Sequence, residues 1–392
     1  MANTNLAQAK EAKNDEFYTQ YADIQKEINA YLDYNPDVFR DKTILLPCDD
    51  PEWSNFTKFF AQNFQLFGLK KLISTSYAVE SKKIKNWQPT LFETESPYYD
   101  ADKSRTNGKI FVLERDVTGD NRIDINDLEW QYLNGDGDFR SKEVTKLRDE
   151  ADIIITNPPF SLFREFVAWL MDSGKQFIII GNQNAITNKE IFPLIKENKI
   201  WLGKGFTGGA AHFISNYTDY ATAGDHREGM IRVSGVVWFT NIDHGRRHQP
   251  LKLMTMAENL KHSKHKEIRG QKGYMHYDNY DAIEVPYTDA IPSDYDGVMG
   301  VPISFIDKYC PEQFEVLGLT QFGCHEEIPD TKKYNDYKEF RTIGDMETGS
   351  SGAKTNENAV ILGKGTKKTY YKNKEGRMVY SEYKRILIRK KQ

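Results

Sequence analysis

An α/β domain built on a doubly wound, mostly parallel sheet, followed by a second region of different character, is the fold class that the sequence predicts. Three observations predict it. Short apolar runs end abruptly in turn-forming residues, and segments with helical spacing of apolar side chains lie between them. Beyond about residue 245 this alternation gives way to charged sequence rich in Tyr and Gly. At 392 residues the chain is also long enough for two domains, since single cores stop growing near ~250 residues.

The elements follow in order. TILLPCDD (43–50), KKLISTSYAV (70–79), ADIIITN (151–157) and KQFIIIGNQNAI (175–186) have the continuous apolar character of buried parallel strands. Residues 80–135 read as a long polar insertion after the second of them. After the third, Phe163, Phe166, Val167, Leu170 and Met171 share one helical face, with Ser161 placed to cap it. NKEIFPLIKENK (188–199) predicts a further helix, with Pro193 in its first turn or at a kink. The first domain is expected over 1–245 and the second over 246–392, with a boundary that could fall as early as 204. No repeat at solenoid periods is visible.

Composition narrows the class. Hydrophobic residues make up 39% and charged residues 28%, and no segment approaches the ~20 apolar residues of a membrane span. The N-terminus lacks the apolar core of a signal peptide, and Cys48, Cys310 and Cys324 are not in metal-ligand spacing. A cytoplasmic, reduced protein without membrane contact is expected. The net charge of −4 hides segregation. Arg246, Arg247, Lys252, Lys261, Lys264, Lys266, Arg269 and Lys272 face only Glu258 and Glu267 locally, and residues 364–392 mix cations with tyrosines.

The third apolar run ends in Asn157, Pro158, Pro159 and Phe160. In open α/β sheets ligands bind beyond the carboxyl ends of the strands, which is where this tetrapeptide falls. Proline restricts the residue before it, so the turn is stiff. It can aim the Asn157 side-chain oxygen and the Pro158 carbonyl at one point, where two acceptors suit a planar amino group. Phe160 then offers a flat face to the ring bearing that amine. The competing reading is a plain turn closing a strand.

DVTGDNRIDIND (116–127) has the spacing of a calcium loop, with Asp116, Thr118, Asp120, Asp124 and Asp127 at ligand positions and Asn121 where glycine is usual. A solvated acidic loop is the alternative. GKGFTGGAAHF (203–213) has the glycine content of a mobile loop that orders on a ligand, or of a plain connection.

TNPPFSLFREF resembles the catalytic motif of amino-directed, S-adenosylmethionine-dependent DNA methyltransferases, in the form carried by the EcoRI-type adenine-specific (N6) family. The resemblance covers nearly the whole chain. DEFYTQYADI (15–24), CDDPEWSNFTKFF (48–60), GDGDFRS (135–141), TNPPFSLFRE (156–165), LIKENKIWLG (194–203), YDNYDAI (277–283) and GVMGVPISF (297–305) look like family blocks in family order. It implies a Rossmann-like methyltransferase fold with a C-terminal α+β target-recognition region. It also implies S-adenosyl-L-methionine as cofactor and double-stranded DNA as substrate, with a restriction endonuclease for the same site as a second partner.

Carried over residue by residue, the resemblance implies that Asn157 and Pro158, with Pro159 stiffening the turn, hold the adenine N6 amine while Phe160 stacks on the flipped base. Cys48, Asp49, Asp50 and Pro51 would border the cofactor, with Ser54, Asn55 and Phe56 opening the next helix. Asp138 and Phe139 match the carboxylate and apolar neighbour at the cofactor's adenine, and Phe17, Tyr18 and Thr19 match the block beside its methionine portion. Two departures are clear. DDPEWSNF replaces the glycine-rich loop usual in the wider fold, and the second strand ends STSYAV without the usual ribose-binding acid, for which Glu80 is nearest. In the region from about 204 to 392 the cations suit phosphates, and Asn241, His244, Arg246, Arg247 and His248 could reach base edges.

Two other readings stay open on sequence alone. The same two-acceptor chemistry serves an RNA adenine or a protein glutamine, and a DNA-binding protein could keep the fold without turnover. The large distal region and the ordered blocks speak against the first, and the intact 157–160 motif against the second.

Overall fold

The computed structural model describes residues 18–50, 54–78, 89, 91–206, 210–214, 227–320, 332, 334–356 and 358–391. The chain divides into two compact units, one of residues 1–185 and 200–245, the other of 186–199 and 246–392. Among the described residues no helix is long and apolar enough to cross a membrane.

The first unit is organised by an eight-stranded sheet. Its strands are β1 (Thr43–Leu46), β2 (Lys71–Ser76), β3 (Lys109–Leu113), β4 (Glu129–Tyr132), β5 (Ile153–Thr156), β6 (Gln176–Asn182), β7 (Trp201–Leu202) and β10 (Val236–Thr240). The order is β4-β3-β2-β1-β5-β6-β10-β7. The centre, β2-β1-β5-β6, is parallel, in register through Leu45 with Ile73 and Ile154, and Ile154 with Phe177. Both flanks are antiparallel. The mostly parallel sheet expected from sequence therefore holds for the four buried central strands and not for the edges. β8 (Ala210–Ile214) and β9 (Met230–Ser234) form a separate antiparallel pair, so part of the supposed 203–213 loop is strand, and residues 207–209 lie outside the described residues.

The central strands are apolar on both faces because both are covered. Ile44, Leu46, Ile153, Ile155, Ile178 and Ile180 join Ile24 and Ile28 of the Tyr21–Leu32 helix and Phe56, Phe59 and Phe60 of the Asn55–Gln62 helix in the main core. On the other side, the Phe163–Ser173 helix buries Phe163, Phe166, Val167 and Leu170, and the Phe163 ring lies 5.1 Å from Phe239. Gly181 makes that approach feasible, since a Cβ there would run into the Phe163 ring.

The described residues of 80–135 prove not to be an excursion from the sheet. They supply β3 and β4, and Lys109 of β3 is buried in an ion pair with Glu93 at 2.8 Å. The polar sequence around them concealed β3, whose short run is almost wholly buried, and β4, which alternates buried and exposed residues. The 188–199 helix is shorter than its pattern, Phe192–Lys196, with Pro193 in the first turn as that residue requires.

The second unit is richer in sheet than in helix. β11 (Ala282–Glu284), β12 (Val298–Pro302), β19 (Arg385–Lys390) and β13 (Phe314–Leu319) form one sheet in that order. A second, antiparallel sheet has the order β15-β14-β17-β18-β16, from β14 (Lys338–Arg341), β15 (Glu347–Ser351), β16 (Val360–Leu362), β17 (Thr369–Lys372) and β18 (Met378–Ser381). Its longest described helix is Met256–His262, closed by a reciprocal Thr255–Glu258 capping box. The basic, tyrosine-rich stretch 364–392 thus supplies β17, β18 and β19, with Tyr370, Tyr371 and Tyr380 buried.

Candidate active site

The chain leaves β1 in one direction to reach β2 and in the other to reach β5 and β6, so a switch point lies between β1 and β5. Loops leaving adjacent carboxyl ends diverge there and open a crevice. The described parts of the loops in question are 47–50, 54 and 157–160.

At the end of β5, Asn157 is 8% exposed, Pro158 is buried, and Pro159 and Phe160 are half-buried. Pro159 is extended, and Phe160–Leu162 then makes one 3₁₀ turn, closed by the Leu162 N–H on the Pro159 carbonyl at 3.0 Å. Ser161 lies inside that turn and does not cap the helix, whose cap position is Leu162. The stiff Pro-Pro unit delays helix entry by three residues. The Phe160 ring packs on the main core and stands edge-on to Phe213 of β8, centroids 6.5 Å apart.

At the end of β1, Cys48 and Asp50 are half-buried and Asp49 is 5% exposed. The Asp49 carboxylate accepts the Ser54 hydroxyl on Oδ1 and the Thr156 hydroxyl on Oδ2, each at 2.6 Å. Its backbone N–H donates to Thr75 of β2 at 3.0 Å, and its carbonyl accepts the Ser74 hydroxyl. Ser54 caps the Asn55–Gln62 helix by accepting the Phe56 N–H at 3.1 Å. Asn55 donates its amide to the Thr19 carbonyl at 2.8 Å, and Tyr18 pairs with Ile214. Segments 18–19, 48–50, 54–56, 157–160 and 210–214 are thereby brought together. Thr19 Oγ1 is buried in this group without a hydrogen-bond partner among the described residues. Phe17, Pro51 and Glu80 lie outside the described residues.

Asp138 follows a glycine turn pressed against β2. Gly137 has φ +82° and a Cβ there would collide with the Ser76 carbonyl, so only glycine fits. Burial raises the Asp138 carboxyl, but paired bonds from Arg140 at 2.9 and 2.7 Å outweigh it and hold the group below its usual range. Phe139 is 4% exposed, edge-on to Phe166 and Trp169 at 4.9 and 5.6 Å, which is a core position.

The five residues expected to reach base edges are engaged with protein, buried His244 through the Leu202 carbonyl at 2.9 Å from its Nε2. Asn241 accepts the Phe177 N–H at 2.8 Å and donates to the Lys175 carbonyl at 2.9 Å, which clips the start of β6. Arg246 pairs with Asp307 at 2.6 Å, buried Arg247 donates to Asn198, and His248 meets Glu312 at 2.7 Å.

The calcium reading of 116–127 is not supported. Among the described residues no group of three or more His, Cys, Asp or Glu side chains could hold a metal ion. Instead the carboxylates close their own loop. Asp127 accepts N–H groups from Val117, Thr118 and Asp124, Asp116 those of Gly119 and Asn121, Asp120 that of Arg122, and Asp124 that of Asn126. Thr118 donates its hydroxyl to Asp116 at 3.3 Å, and Asn121 does adopt the left-handed conformation, φ +64°. The N–H groups of Asp124 and Thr118, foremost among these bonds, pull the Asp127 carboxyl down to about 2. Because that value lies below the unfolded one near 4, its contribution to stability is full above pH ~4 and lost as pH falls toward 2. The difference in melting temperature between wild type and Asp127→Asn should therefore be largest at pH 5 and shrink through that window.

Thr156, Ser74 and Phe213 went unnoticed in the sequence. Thr156 had a visible signal in the polar end of an all-isoleucine strand, whereas Phe213 had none.

The family described as adenine-specific methyltransferase EcoRI matches residues 5–391 of the chain. The chain is 42% identical over 320 residues to the Type II methyltransferase M.EcoRI of Escherichia coli, covering 80% of this chain and 89% of that protein. It is 33% identical over 315 residues to M.MpnI of Mycoplasma pneumoniae, and 32% over 317 to M.MgeORF184P of Mycoplasma genitalium, both Type II methyltransferases. These cover 79% of this chain in each case, and 83% and 84% of the relatives. No solved structure matches it. A polar turn at the switch point of an α/β sheet and a family match along nearly the whole chain agree: this protein belongs to the EcoRI family of adenine-specific methyltransferases.

Proposed function

We propose that the protein is a site-specific DNA adenine-N6 methyltransferase, moving a methyl group from S-adenosylmethionine to a flipped adenine in double-stranded DNA for restriction-modification or epigenetic marking. In a restriction-modification setting its counterpart is an endonuclease that cuts the same site. The observation that carries the reading is the Asn157–Phe160 turn, fixed at the carboxyl end of β5 beside the loop of β1.

The Asn157 side-chain oxygen and the Pro158 carbonyl accept the two N6 hydrogens, which draws the nitrogen toward tetrahedral geometry and frees its lone pair. Phe160, braced by Phe213, stacks on the extruded base. The same acceptors stabilise the positive charge developing on N6, whose proton leaves after transfer. The bound cofactor supplies a methyl group on a positively charged sulfur, so the chain need only align and shield it. Thr19, with its unpartnered buried hydroxyl, fits the polar amino-acid end, together with Tyr18, Cys48, Asp50 and Asn55. Asp138, kept ionised beside Arg140, fits the adenine amine, and Phe139 backs it from the core.

On this reading the Rossmann-like catalytic domain is 1–245 and target recognition belongs to 246–392. Exposed Lys368, Lys372 and Lys374 on and beside the five-stranded sheet support a phosphate-contacting role. Changing all three to Ala should weaken DNA binding for every sequence and lower the salt slope by about 1 per lost contact. Titration of binding against salt concentration tests this; an unchanged slope moves the DNA face elsewhere.

The reaction itself is tested with labelled S-adenosylmethionine and unmethylated genomic DNA, followed by nucleoside mass spectrometry. N6-methyldeoxyadenosine is the expected product. Label appearing only in RNA or protein, or cofactor binding without any transfer, would replace this reading.

A further inference from the structure

We infer that Asp49 is a positioning residue that sets the geometry of the Asn157 turn from the neighbouring strand, rather than a cofactor contact. The inference rests on the reading of that turn as the holder of the target amine.

Asp49 and Thr156 are 107 residues apart in sequence and joined by a 2.6 Å bond in a fully buried setting, with Thr156 0% exposed and Asp49 5%. Thr156 is the residue immediately before Asn157, so fixing its hydroxyl fixes the peptide from which the Asn157 side chain springs. The other carboxylate oxygen takes Ser54, which in turn caps the helix beginning at Asn55. Backbone bonds to Ser74 and Thr75 leave Asp49 little freedom to move. One side chain thus couples the end of β5, the start of a helix and, through its own backbone, β2. Both carboxylate bonds are short, at 2.6 Å each. A carboxylate already holding two hydroxyls in the interior is poorly placed to turn toward a cofactor, whereas it is well placed to resist displacement of the turn beside it. Small misplacements of a catalytic group lower rates far more than they lower binding.

The test uses Thr156→Val, which keeps shape and removes the hydroxyl, Thr156→Ser, which restores it, and Asp49→Asn. Asn157→Ala is run alongside. Single-turnover methylation and S-adenosylmethionine affinity by calorimetry are measured for each, with thermal melts as a folding control. Thr156→Val and Asp49→Asn are expected to lose about 10- to 100-fold in rate with cofactor affinity within about twofold of wild type, and Thr156→Ser to recover most of the rate. If cofactor affinity falls in step with rate, Asp49 acts on the cofactor and the inference is overturned. An unchanged rate in Thr156→Val overturns it as well, and if that variant does not fold, Asp49→Asn decides by the same two readouts. Loss of activity in Asn157→Ala with none in Thr156→Val removes this inference alone. Full activity in Asn157→Ala removes the reading of the turn on which it rests.

Discussion

Asn157→Ala should lower the single-turnover methylation rate by about 100- to 1,000-fold while leaving S-adenosylmethionine affinity within about twofold. The magnitude follows from losing one fixed polar group that acts where charge develops in the transition state. The selectivity follows from placement. Asn157 leaves β5, while the residues assigned to the cofactor's amino-acid end lie on the loop after β1 and at Tyr18 and Thr19. At 8% exposure the side chain is largely closed to water that could replace it as acceptor, and the Pro158-Pro159 backbone is too stiff to offer another carbonyl. Asn157→Asp keeps an acceptor oxygen and should retain more activity than Asn157→Ala. A wild-type rate in Asn157→Ala would reduce the tetrapeptide to a strand-closing turn.

That turn could be read from sequence because everything it needs is contiguous: an apolar strand, an Asn, two prolines and an aromatic within eight residues. The four central strands were legible for a similar reason, since burial on both faces leaves an unbroken run such as Ile153–Ile154–Ile155. β4 failed that test. Glu129 and Gln131 are exposed and only Trp130 is buried, so the strand reads as polar until its pairing with β3 is known. What holds the site together was equally hidden, because Asp49 with Thr156 and Phe160 with Phe213 are contacts between distant segments. Asn241 shows the converse case. A polar residue just past a strand looks available to a ligand, yet both ends of its amide satisfy backbone groups at the start of β6. At 246–248, likewise, a sequence shows the side chains without the partners brought opposite them by folding, Asp307 for Arg246, Asn198 for Arg247 and Glu312 for His248.

Arg385→Ala should have the largest effect on stability, about 3–5 kcal/mol, because it strips a partner from a buried charge. Arg385 is the first residue of β19 and meets Glu284 at the end of β11 through two nitrogens, Nη2 at 2.6 Å and Nε at 3.0 Å. The two strands are separated by β12, and the pair crosses it where Gly300 lacks a side chain and the Tyr277 ring fills the space. Side-chain exposures of 9% and 5% leave little water to take over from the guanidinium. After truncation Glu284 would retain the Tyr277 hydroxyl, which cannot neutralise a carboxylate. A loss of that size is a large fraction of the roughly 5–15 kcal/mol available to a domain, so the melting transition should fall well below that of wild type. The double change Glu284→Leu with Arg385→Met removes both charges together and should recover much of the loss, since the cost lies in the unpaired ion and not in the missing bridge. If Arg385→Ala costs less than about 1 kcal/mol, the pair behaves like a surface bridge and water reaches it in solution.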